Sequence, residues 1–301
     1  MTVKTLGTAL FVFLLEVSVV GGAEPTSTAG VHSPMTPEMC RSDLRSCLRR
    51  ADALAAKEPS SSAELYRWAC DARSGEACVG LGVLYLNGSI GQSDARKAGE
   101  LFESACSNGV PAGCSNLAVL YAHGNGVVKN EPKAATLYER ACNGGLAAAC
   151  MNWGQFLKKG QGGTKDEKKA TVLFKQACES GFLPSCYNFG LSLEQGSGTR
   201  KDISAATRMF DKACDGGATE ACGHMGELLL KTEPPDAKRS AAMLEKACNA
   251  NDARRCAELA ALHDLGLGVA TDPARANKLR ARACQLGYQM TCGGGTISTS
   301  P

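Results

Sequence analysis

The cysteines carry the strongest covalent chemistry in this chain, and all 16 of them fall into eight close pairs. Paired thiols form disulfides or hold metal ions, but the spacing here is not C-x-x-C and the four histidines do not cluster with the pairs. We therefore expect disulfides, with no metal site and no cofactor. The eight pairs are Cys40/Cys47, Cys70/Cys78, Cys106/Cys114, Cys142/Cys150, Cys178/Cys186, Cys214/Cys222, Cys248/Cys256 and Cys284/Cys292.

The spacing within a pair restricts the local backbone. Two residues eight positions apart on one continuous helix have Cα atoms about 12 Å apart, whereas a disulfide needs about 4.4–6.8 Å. Either the two cysteines are not bonded to each other, or the chain turns between them. Glycines such as Gly144, Gly145 and Gly217 favour a turn, because glycine readily ends a helix. We predict that each frame is a helix end, a turn and a helix start, closed by a disulfide; Cys40/Cys47, one residue shorter and without glycine, fits least well.

The pairs recur at a fixed period. From Cys70 to Cys214 the first cysteine of each pair steps by 36 residues, which indicates stacked helical units instead of one globular core. Asp94 and Asp202 are expected to cap helices in their units. A small residue lies four positions after most second cysteines, and a large apolar residue lies four positions before most first cysteines, which predicts interlocking helix pairs. The small set is Gly82, Ala118, Gly154, Gly190, Gly226 and Ala260, and the large set is Phe102, Tyr138, Phe174, Phe210 and Leu244, with Arg280 in the last unit.

The segment from Leu117 to Ala134 reads Leu-x-x-Leu-Tyr-x-x-Gly-x-Gly-Val-x-Lys-x-x-x-Lys-Ala. This pattern resembles the Sel-like (sel-one-like) repeat, an α/α relative of the tetratricopeptide repeat. With the cysteine frame added, the chain resembles the Helicobacter cysteine-rich protein family. The resemblance implies an all-α solenoid, a right-handed α/α superhelix of about seven disulfide-stapled 36-residue repeats over residues 40–292. It also implies a surface that binds peptides or proteins, and some family members are named as penicillin-binding proteins or β-lactamases.

The residues themselves give little support to hydrolase chemistry. No lysine has Ser, Thr or Cys three positions earlier, and Lys-Thr-Gly and G-x-S-x-G are both missing from the sequence. Tyr85 and Asn87 resemble the Tyr-x-Asn of penicillin-recognising enzymes, but Tyr121 matches Tyr85 one repeat later, so we interpret Tyr85 as a core residue. A weak penicillin-binding protein or β-lactamase therefore remains the alternative function, with unknown catalytic residues.

Polar side chains repeat in two rows on the first helix of each unit, the helix expected to line the concave groove of a solenoid. The first row is Asn116, Asn152, Asn188, His224 and Glu258, and the second row, seven residues away in each repeat, is Asn87, His123, Lys159, Gln195 and Lys231. Asparagines in a groove can form hydrogen bonds to an extended peptide backbone, while Lys159, Lys231 and His123 select for acidic groups on the peptide. The competing interpretation is that the asparagines bond neighbouring turns and the lysines only form a solvated face. The expected ligand is a peptide, a protein, a cell-wall-derived molecule such as a peptidoglycan fragment, or a β-lactam.

The ends of the chain predict export. Residues 1–23 contain Lys4, an apolar run and a small-residue site at Gly21-Gly22-Ala23, as in a signal peptide. The rival interpretation, a transmembrane anchor, is less consistent with so short an apolar run. Residues 24–39 read as a disordered linker and residues 293–301 as a flexible tail. Paired cysteines agree with a secreted or periplasmic protein without a membrane span in the mature chain; an assembly factor in another oxidising space is the third option.

Charge and composition exclude one class of partner. The net charge is +3, the sequence pI is about 8.1, and aromatic residues make up 5% of the chain. Basic residues are spread among acidic ones along the repeats, so the chain lacks the basic patch that nucleic acids require. We expect no nucleic-acid partner and a monomeric scaffold.

Overall fold

Fourteen α-helices, without a strand, make up the part of the chain that the structure describes. The structure is a computed structural model that describes Cys40 and residues 43–292; the predicted signal peptide (1–23), linker (24–39) and tail (293–301) lie outside these residues. The helices are α1 (Leu44–Leu54), α2 (Pro59–Asp71), α3 (Gly75–Asn87), α4 (Ala95–Ser107), α5 (Pro111–His123), α6 (Glu131–Asn143), α7 (Ala147–Lys159), α8 (Glu167–Glu179), α9 (Leu183–Gln195), α10 (Ile203–Asp215), α11 (Thr219–Leu230), α12 (Ala237–Asn249), α13 (Ala253–Leu265) and α14 (Pro273–Gln285), followed by a 3₁₀ turn at Gln289–Thr291.

The helices alternate between two kinds. Odd-numbered helices begin inside a cysteine frame and are called first helices; even-numbered helices end in or at the edge of the next frame and are called second helices. The chain divides into two compact units, one ending at Lys165 with α1–α7 and one beginning at Asp166 with α8–α14. Within each unit, every helix packs against the helices before and after it. The all-α repeat solenoid that the sequence predicts is confirmed.

The sequence determines where these helices begin and end. An Asp or Asn side chain caps each second helix from α4 onward, as when Asp202 Oδ1 accepts from the backbone N–H of Ala205 at 2.8 Å. Such a cap satisfies an N–H that has no partner inside the helix. At the other end, five first helices stop at a glycine with left-handed backbone, for example Gly196 with φ 71°. The caps predicted at Asp94 and Asp202 are therefore confirmed.

The predicted pairing of small and large side chains forms the core of each repeat. Phe210 is fully buried, and a Cβ added to Gly190 would lie 2.6 Å from its ring. Gly82 meets Phe102 at the same 2.6 Å, and Gly226 meets the side chain of Leu244 at 2.8 Å. Glycine thus lets a first helix approach the large side chain of its second helix closely, which excludes any larger residue. In the last repeat Arg280 takes the large position, and its guanidinium is ion-paired with Asp264 of α13.

A second glycine in four of the loops between paired helices lets successive repeats stack closely, and sequence reasoning did not find this role. Gly198 has φ 68°, and a Cβ there would overlap the carbonyl of Glu167, in the first turn of α8. Gly126, Gly162 and Gly268 occupy the same place over the start of the preceding second helix. The G-x-G of the repeat therefore has two functions: the first glycine ends the first helix, and the second lets the loop rest on the previous repeat.

Cations also join successive repeats. Two positions before the first cysteine of a frame, Arg140 donates to the carbonyl of Cys106 at 2.7 Å and Lys212 donates to that of Cys178 at 3.2 Å. At the same position of later frames, Arg282 donates to the carbonyl of Asn249 at the end of α12, whereas Lys246 donates to the side-chain carboxylate of Asp215 at the end of α10. A cation near a helix C-terminus meets unpaired carbonyls and the negative end of the helix dipole, each contact contributing about 0.3–1 kcal/mol. These contacts fasten α6, α10, α12 and α14 each to the second helix before it.

Eight disulfides close the cysteine frames. The structure joins each cysteine to the partner expected from the spacing, with Cα–Cα distances from 4.5 Å to 5.0 Å, and no described cysteine is free. The short first frame, which fits the pattern least well, is bonded like the others. The bridges are Cys40–Cys47, Cys70–Cys78, Cys106–Cys114, Cys142–Cys150, Cys178–Cys186, Cys214–Cys222, Cys248–Cys256 and Cys284–Cys292.

The bridged cysteines lie mostly inside the protein. Cys78, Cys186 and Cys256 are fully buried, and Cys222 is 4% exposed, so the second cysteine of these frames anchors the start of a first helix in the core. Disulfides persist in oxidising compartments, and the eight bridges therefore indicate an extracytoplasmic protein. None of the helices in the described ranges combines the length and apolarity needed to cross a membrane.

Burial predicts the order in which these bridges are reduced. Cys292 is exposed and Cys284 is half-buried, whereas each other bridge contains at least one cysteine that is 5% exposed or less. We expect mild dithiothreitol without denaturant to open Cys284–Cys292 first, because a thiolate must reach a sulfur atom to attack it. Alkylation followed by peptide mapping measures this order. Opening of the buried Cys142–Cys150 bridge at the same rate would contradict the prediction.

Candidate functional site

The first row of polar residues has unused hydrogen-bonding capacity in the first unit. Asn116, on α5, is 7% exposed, and its amide forms no hydrogen bond within the described ranges. Asn152, on α7, is half-buried, and its Oδ1 is buried without a partner. A carboxamide offers two donors and an acceptor with two lone pairs. These two asparagines can therefore bond an incoming group without first breaking a bond to the protein.

In the second unit the first row is already bonded internally. Asn188 Nδ2 donates to the Pro184 carbonyl of its own helix, α9, at 3.3 Å. His224 Nε2, on α11, lies 2.7 Å from a carboxylate oxygen of Glu194 on α9. Here the structure agrees with the competing interpretation, in which row residues hold neighbouring turns and helices together.

An ion-pair network occupies the remaining first-row position, Glu258. This carboxylate accepts from Arg254 at 2.8 Å and from Arg255 at 2.7 Å. Arg255 also reaches Glu227 of α11 at 3.1 Å, and its side chain is only 11% exposed. Gly223 makes room for it, since a Cβ there would lie 2.6 Å from the guanidinium Nε. The network joins α11 to α13. Because both arginines already bind the Glu258 carboxylate, Glu258 has little charge left to attract a ligand.

The second row lies at the C-terminal ends of the first helices. Asn87, His123, Lys159 and Gln195 are exposed there. Lys231 differs, because its Nζ donates to Glu227 at 2.9 Å. Lys231 therefore belongs to the ion-pair network, while His123 and Lys159 leave the first unit with a basic edge beside its two asparagines.

Tyr85 is half-buried and packs against the edge of the core. The prediction that Tyr85 is a core residue is therefore confirmed only in part. Lys97 Nζ lies 5.1 Å above its ring, and Arg67 donates to its hydroxyl at 3.4 Å. Tyr121 repeats the arrangement, receiving a 2.6 Å hydrogen bond from Lys133. Side chains at this helix position reach the edge of the repeat, where a lysine from the following helix covers the ring.

The Tyr121–Lys133 pair does not support β-lactam hydrolysis. The hydrogen bond to Tyr121 raises the pKa of Lys133 above its usual value, so the amine remains charged and is a poor general base. No group of three or more His, Cys, Asp or Glu side chains in the described residues is arranged to hold a metal ion. Nothing in the geometry favours the hydrolase alternative.

The network around Glu227 predicts an acid-sensitive second unit. The hydrogen bond from Lys231, followed by that from Arg255, lowers the pKa of Glu227 to about 2. Because the folded pKa lies below the unfolded value of about 4.3, the stability from this carboxylate is present above pH 4.3 and is lost as the pH falls toward 2. We expect Glu227→Gln to reduce the loss of stability between pH 5 and pH 2, measured as the urea midpoint at each pH. Equal slopes for the variant and the parent chain would exclude this role for Glu227.

Comparisons with known proteins agree with the repeat geometry. The Sel1 repeat family model matches residues 75–110, 111–146, 147–182, 183–217, 219–252 and 256–288. No curated protein sequence matches the chain.

Solved structures share the fold. A protective antigen of uropathogenic Escherichia coli with an SLR fold is 20% identical, with a TM-score of 0.74 over 85% of this chain and 57% of the antigen, so this chain spans little more than half of that protein. A Sel1 repeat protein of Oxalobacter formigenes is 22% identical, with a TM-score of 0.67 over 85% of this chain and 99% of that one. The cysteine-rich protein B of Helicobacter pylori is 28% identical over 44% of this chain and 94% of its own, with a TM-score of 0.36. With six matched repeats covering more than half of its length, this chain belongs to the Sel1 repeat family, whose repeats typically mediate protein interactions.

Proposed function

We propose that this protein is an exported scaffold, secreted or periplasmic, that binds an extended segment of a partner protein across the first helices of its first unit. The observation that carries the proposal is the pair Asn116 and Asn152 on successive first helices. Asn152 Oδ1 is buried without a partner, and the buried amide of Asn116 forms no hydrogen bond within the described residues. An extended peptide offers N–H and C=O groups that match both functions of a carboxamide.

The edge of the same unit suggests the charge of the partner. His123 and Lys159 are exposed at the ends of α5 and α7, in register with the asparagines and seven residues further along each helix. A partner segment with a carboxylate near this edge would gain a favourable contact, although an exposed ion pair adds little affinity. The second unit, with its row closed by internal bonds, contributes stability to the scaffold and not ligand contacts.

A peptide selection tests the proposal. Random peptides displayed on phage are selected on the fully oxidised chain, and the enriched peptides are measured by fluorescence anisotropy against Asn116→Ala/Asn152→Ala. Each lost hydrogen bond is worth about 0.5–1.5 kcal/mol, so we expect the double variant to bind about 5–100-fold more weakly. Asn188→Ala is the matched control, because that amide is bonded to its own helix, and its affinity should stay within about twofold.

Two results would overturn the proposal. One is a failure to enrich any peptide on the oxidised chain, and the other is enriched peptides that bind the double variant as tightly as the parent. Circular dichroism and an unreduced mass showing all eight bridges confirm that each variant is folded.

A further inference from the structure

Four asparagines in this chain are followed directly by glycine: Asn87, Asn108, Asn125 and Asn143. In an Asn-Gly pair the glycine backbone nitrogen can attack the side-chain carbonyl carbon of the asparagine, because glycine has no Cβ to shield that nitrogen. The attack closes a five-membered succinimide ring and releases ammonia. Water then opens the ring at either carbonyl, which leaves aspartate or isoaspartate in place of asparagine. The four pairs are therefore candidate sites of spontaneous chemical modification.

Three of the four pairs are protected by the ends of helices. Asn87 and Asn143 are the last residues of α3 and α6, and Asn108 directly follows α4. In each pair the glycine N–H donates to a backbone carbonyl of that helix. These donor–acceptor pairs and their N···O distances are Gly88–Tyr85 at 3.2 Å, Gly109–Cys106 at 3.0 Å and Gly144–Arg140 at 3.0 Å. A bonded N–H is harder to deprotonate and cannot turn freely toward the asparagine side chain.

The pair Asn125 and Gly126 lacks this protection. Both residues are exposed in the loop between α5 and α6. The N–H of Gly126 donates to no acceptor among the described residues, and the side chain of Asn125 has no partner there either. The equivalent loop position holds Gln161, Ser197 and Leu267 in other repeats. The loop itself therefore does not require an asparagine, and the reactive pair is particular to this repeat.

We propose that Asn125 is a site of spontaneous deamidation, and that its isoaspartyl product loosens the contact between this loop and α4. The Gly126 nitrogen loses its proton and bonds to Cγ of Asn125, and the side-chain nitrogen leaves as ammonia. One water molecule then hydrolyses the ring, so the atoms balance without an enzyme or an oxidant. Because the attacking nitrogen must lose its proton, the reaction is faster in alkaline solution.

The loop has no room for the longer backbone of isoaspartate. The isoaspartyl linkage routes the main chain through the side-chain methylene, which adds one carbon between residues 125 and 126. The loop is fixed on both sides, since the N–H groups of Asn125 and Asn130 donate to carbonyls of α5 at 3.1 Å and 2.8 Å. Between these points Gly126 lies against the start of α4, where even a Cβ would be 2.4 Å from the carbonyl carbon of Ala95. The added carbon therefore displaces Gly126 from α4.

Ageing of the folded protein tests where the modification occurs. The oxidised chain is incubated in mildly alkaline buffer made with ¹⁸O-labelled water, so only events during the incubation carry the label. Asn108 and Asn125 fall in one tryptic peptide, residues 98–129, and fragmentation of this peptide in the mass spectrometer quantifies both. We expect Asn125 to be converted about 2–10-fold faster than Asn108, because only the Gly109 N–H is held by a hydrogen bond.

The reduced chain, unfolded in urea, is the matched control. It keeps both Asn-Gly pairs, each of which is followed by valine, and it removes the hydrogen bonds of the fold. The rates at Asn108 and Asn125 should then become equal. Equal rates in the folded protein, or the same ratio of rates in the unfolded chain, would overturn Asn125 as the site that the fold leaves unprotected.

Hydrogen exchange tests the effect on α4. The amides of Lys97 and Ala98 are bonded to Asp94 at the start of this helix, at 3.0 Å and 3.1 Å. In the isoaspartyl form, purified by ion-exchange chromatography, we expect these amides to exchange about 2–10-fold faster. Asn125→Asp has the charge without the added carbon and should match the parent chain. Unchanged exchange in the isoaspartyl form, or an equal increase in Asn125→Asp, would overturn the proposed loosening.

Discussion

Replacing Gly198 by alanine is expected to lower the free energy of unfolding by about 2–5 kcal/mol. An L-residue at φ 68° costs roughly 1–2 kcal/mol, and the added Cβ would overlap the carbonyl of Glu167 at the start of α8. The overlap forces the loop away from the preceding helix, which adds the roughly 1–3 kcal/mol typical of overpacking. Urea unfolding of the oxidised chain measures the loss, and hydrogen exchange in the first turn of α8 locates it.

Gly217→Ala is the matched control for this prediction. Gly217 has a similarly positive φ of 88°, but a Cβ there would have no heavy atom within 4 Å. Gly217→Ala therefore introduces the backbone strain without the overlap, and we expect it to lower the free energy of unfolding by only about 1–2 kcal/mol. If the two variants were equally destabilised and exchange at the start of α8 were unchanged, the loop glycine would have no role in stacking.

Phe210→Ala is expected to cost about 3–5 kcal/mol, because it removes a fully buried ring and leaves a cavity between α9, α10 and α11. The structure also predicts a partial rescue. Gly190 faces the ring, with an added Cβ 2.6 Å from it, so a leucine at position 190 can fill the space that the ring leaves. The unfolding free energies of both single variants and of Gly190→Leu/Phe210→Ala measure the coupling.

The sign of the coupling energy between positions 190 and 210 shows whether the residues at these two positions pack against each other. Alone, Gly190→Leu should be destabilising, since the leucine collides with the phenylalanine ring. In the double variant we expect it to be stabilising relative to Phe210→Ala, with a coupling energy of about 1–3 kcal/mol. Strictly additive losses would show that Gly190 is small for another reason.

The sequence was sufficient to predict most of the repeat fold, because its signals are local and repeated. Spacing within a cysteine frame requires a turn, glycine supplies it, and small residues in register with large ones specify how two helices approach. The interpretation was incomplete at Tyr85, where the pattern predicts an apolar position but does not show that Lys97, twelve residues later, lies over the ring at the edge of the repeat.

The candidate site was less predictable, since the state of a polar row depends on residues elsewhere in the fold. The sequence places Asn152 and His224 at equivalent positions, but only the structure shows that Glu194 bonds the histidine while Asn152 Oδ1 has no partner among the described residues. The repeat register could have identified the buried hydroxyl of Tyr138, because the equivalent positions hold Phe102, Phe174, Phe210 and Leu244. The recurring cation before the first cysteine, as at Arg140 and Lys212, was a visible signal that was missed.

The short span of each bridge determines how the cysteines find their partners. Partners are seven or eight positions apart, whereas the nearest wrong partner in a neighbouring frame is 23 positions away, between Cys47 and Cys70 (70 − 47). The entropic free-energy cost of closing the shorter, correct loop is about 1 kcal/mol lower than that of closing the longer, incorrect one. A chain entering an oxidising space N-terminus first exposes both cysteines of one frame before the next frame emerges, which favours the correct pairing. By the same logic, a duplicated 36-residue segment would bring its own bridge and leave every other one undisturbed, so the array can lengthen by whole units during evolution.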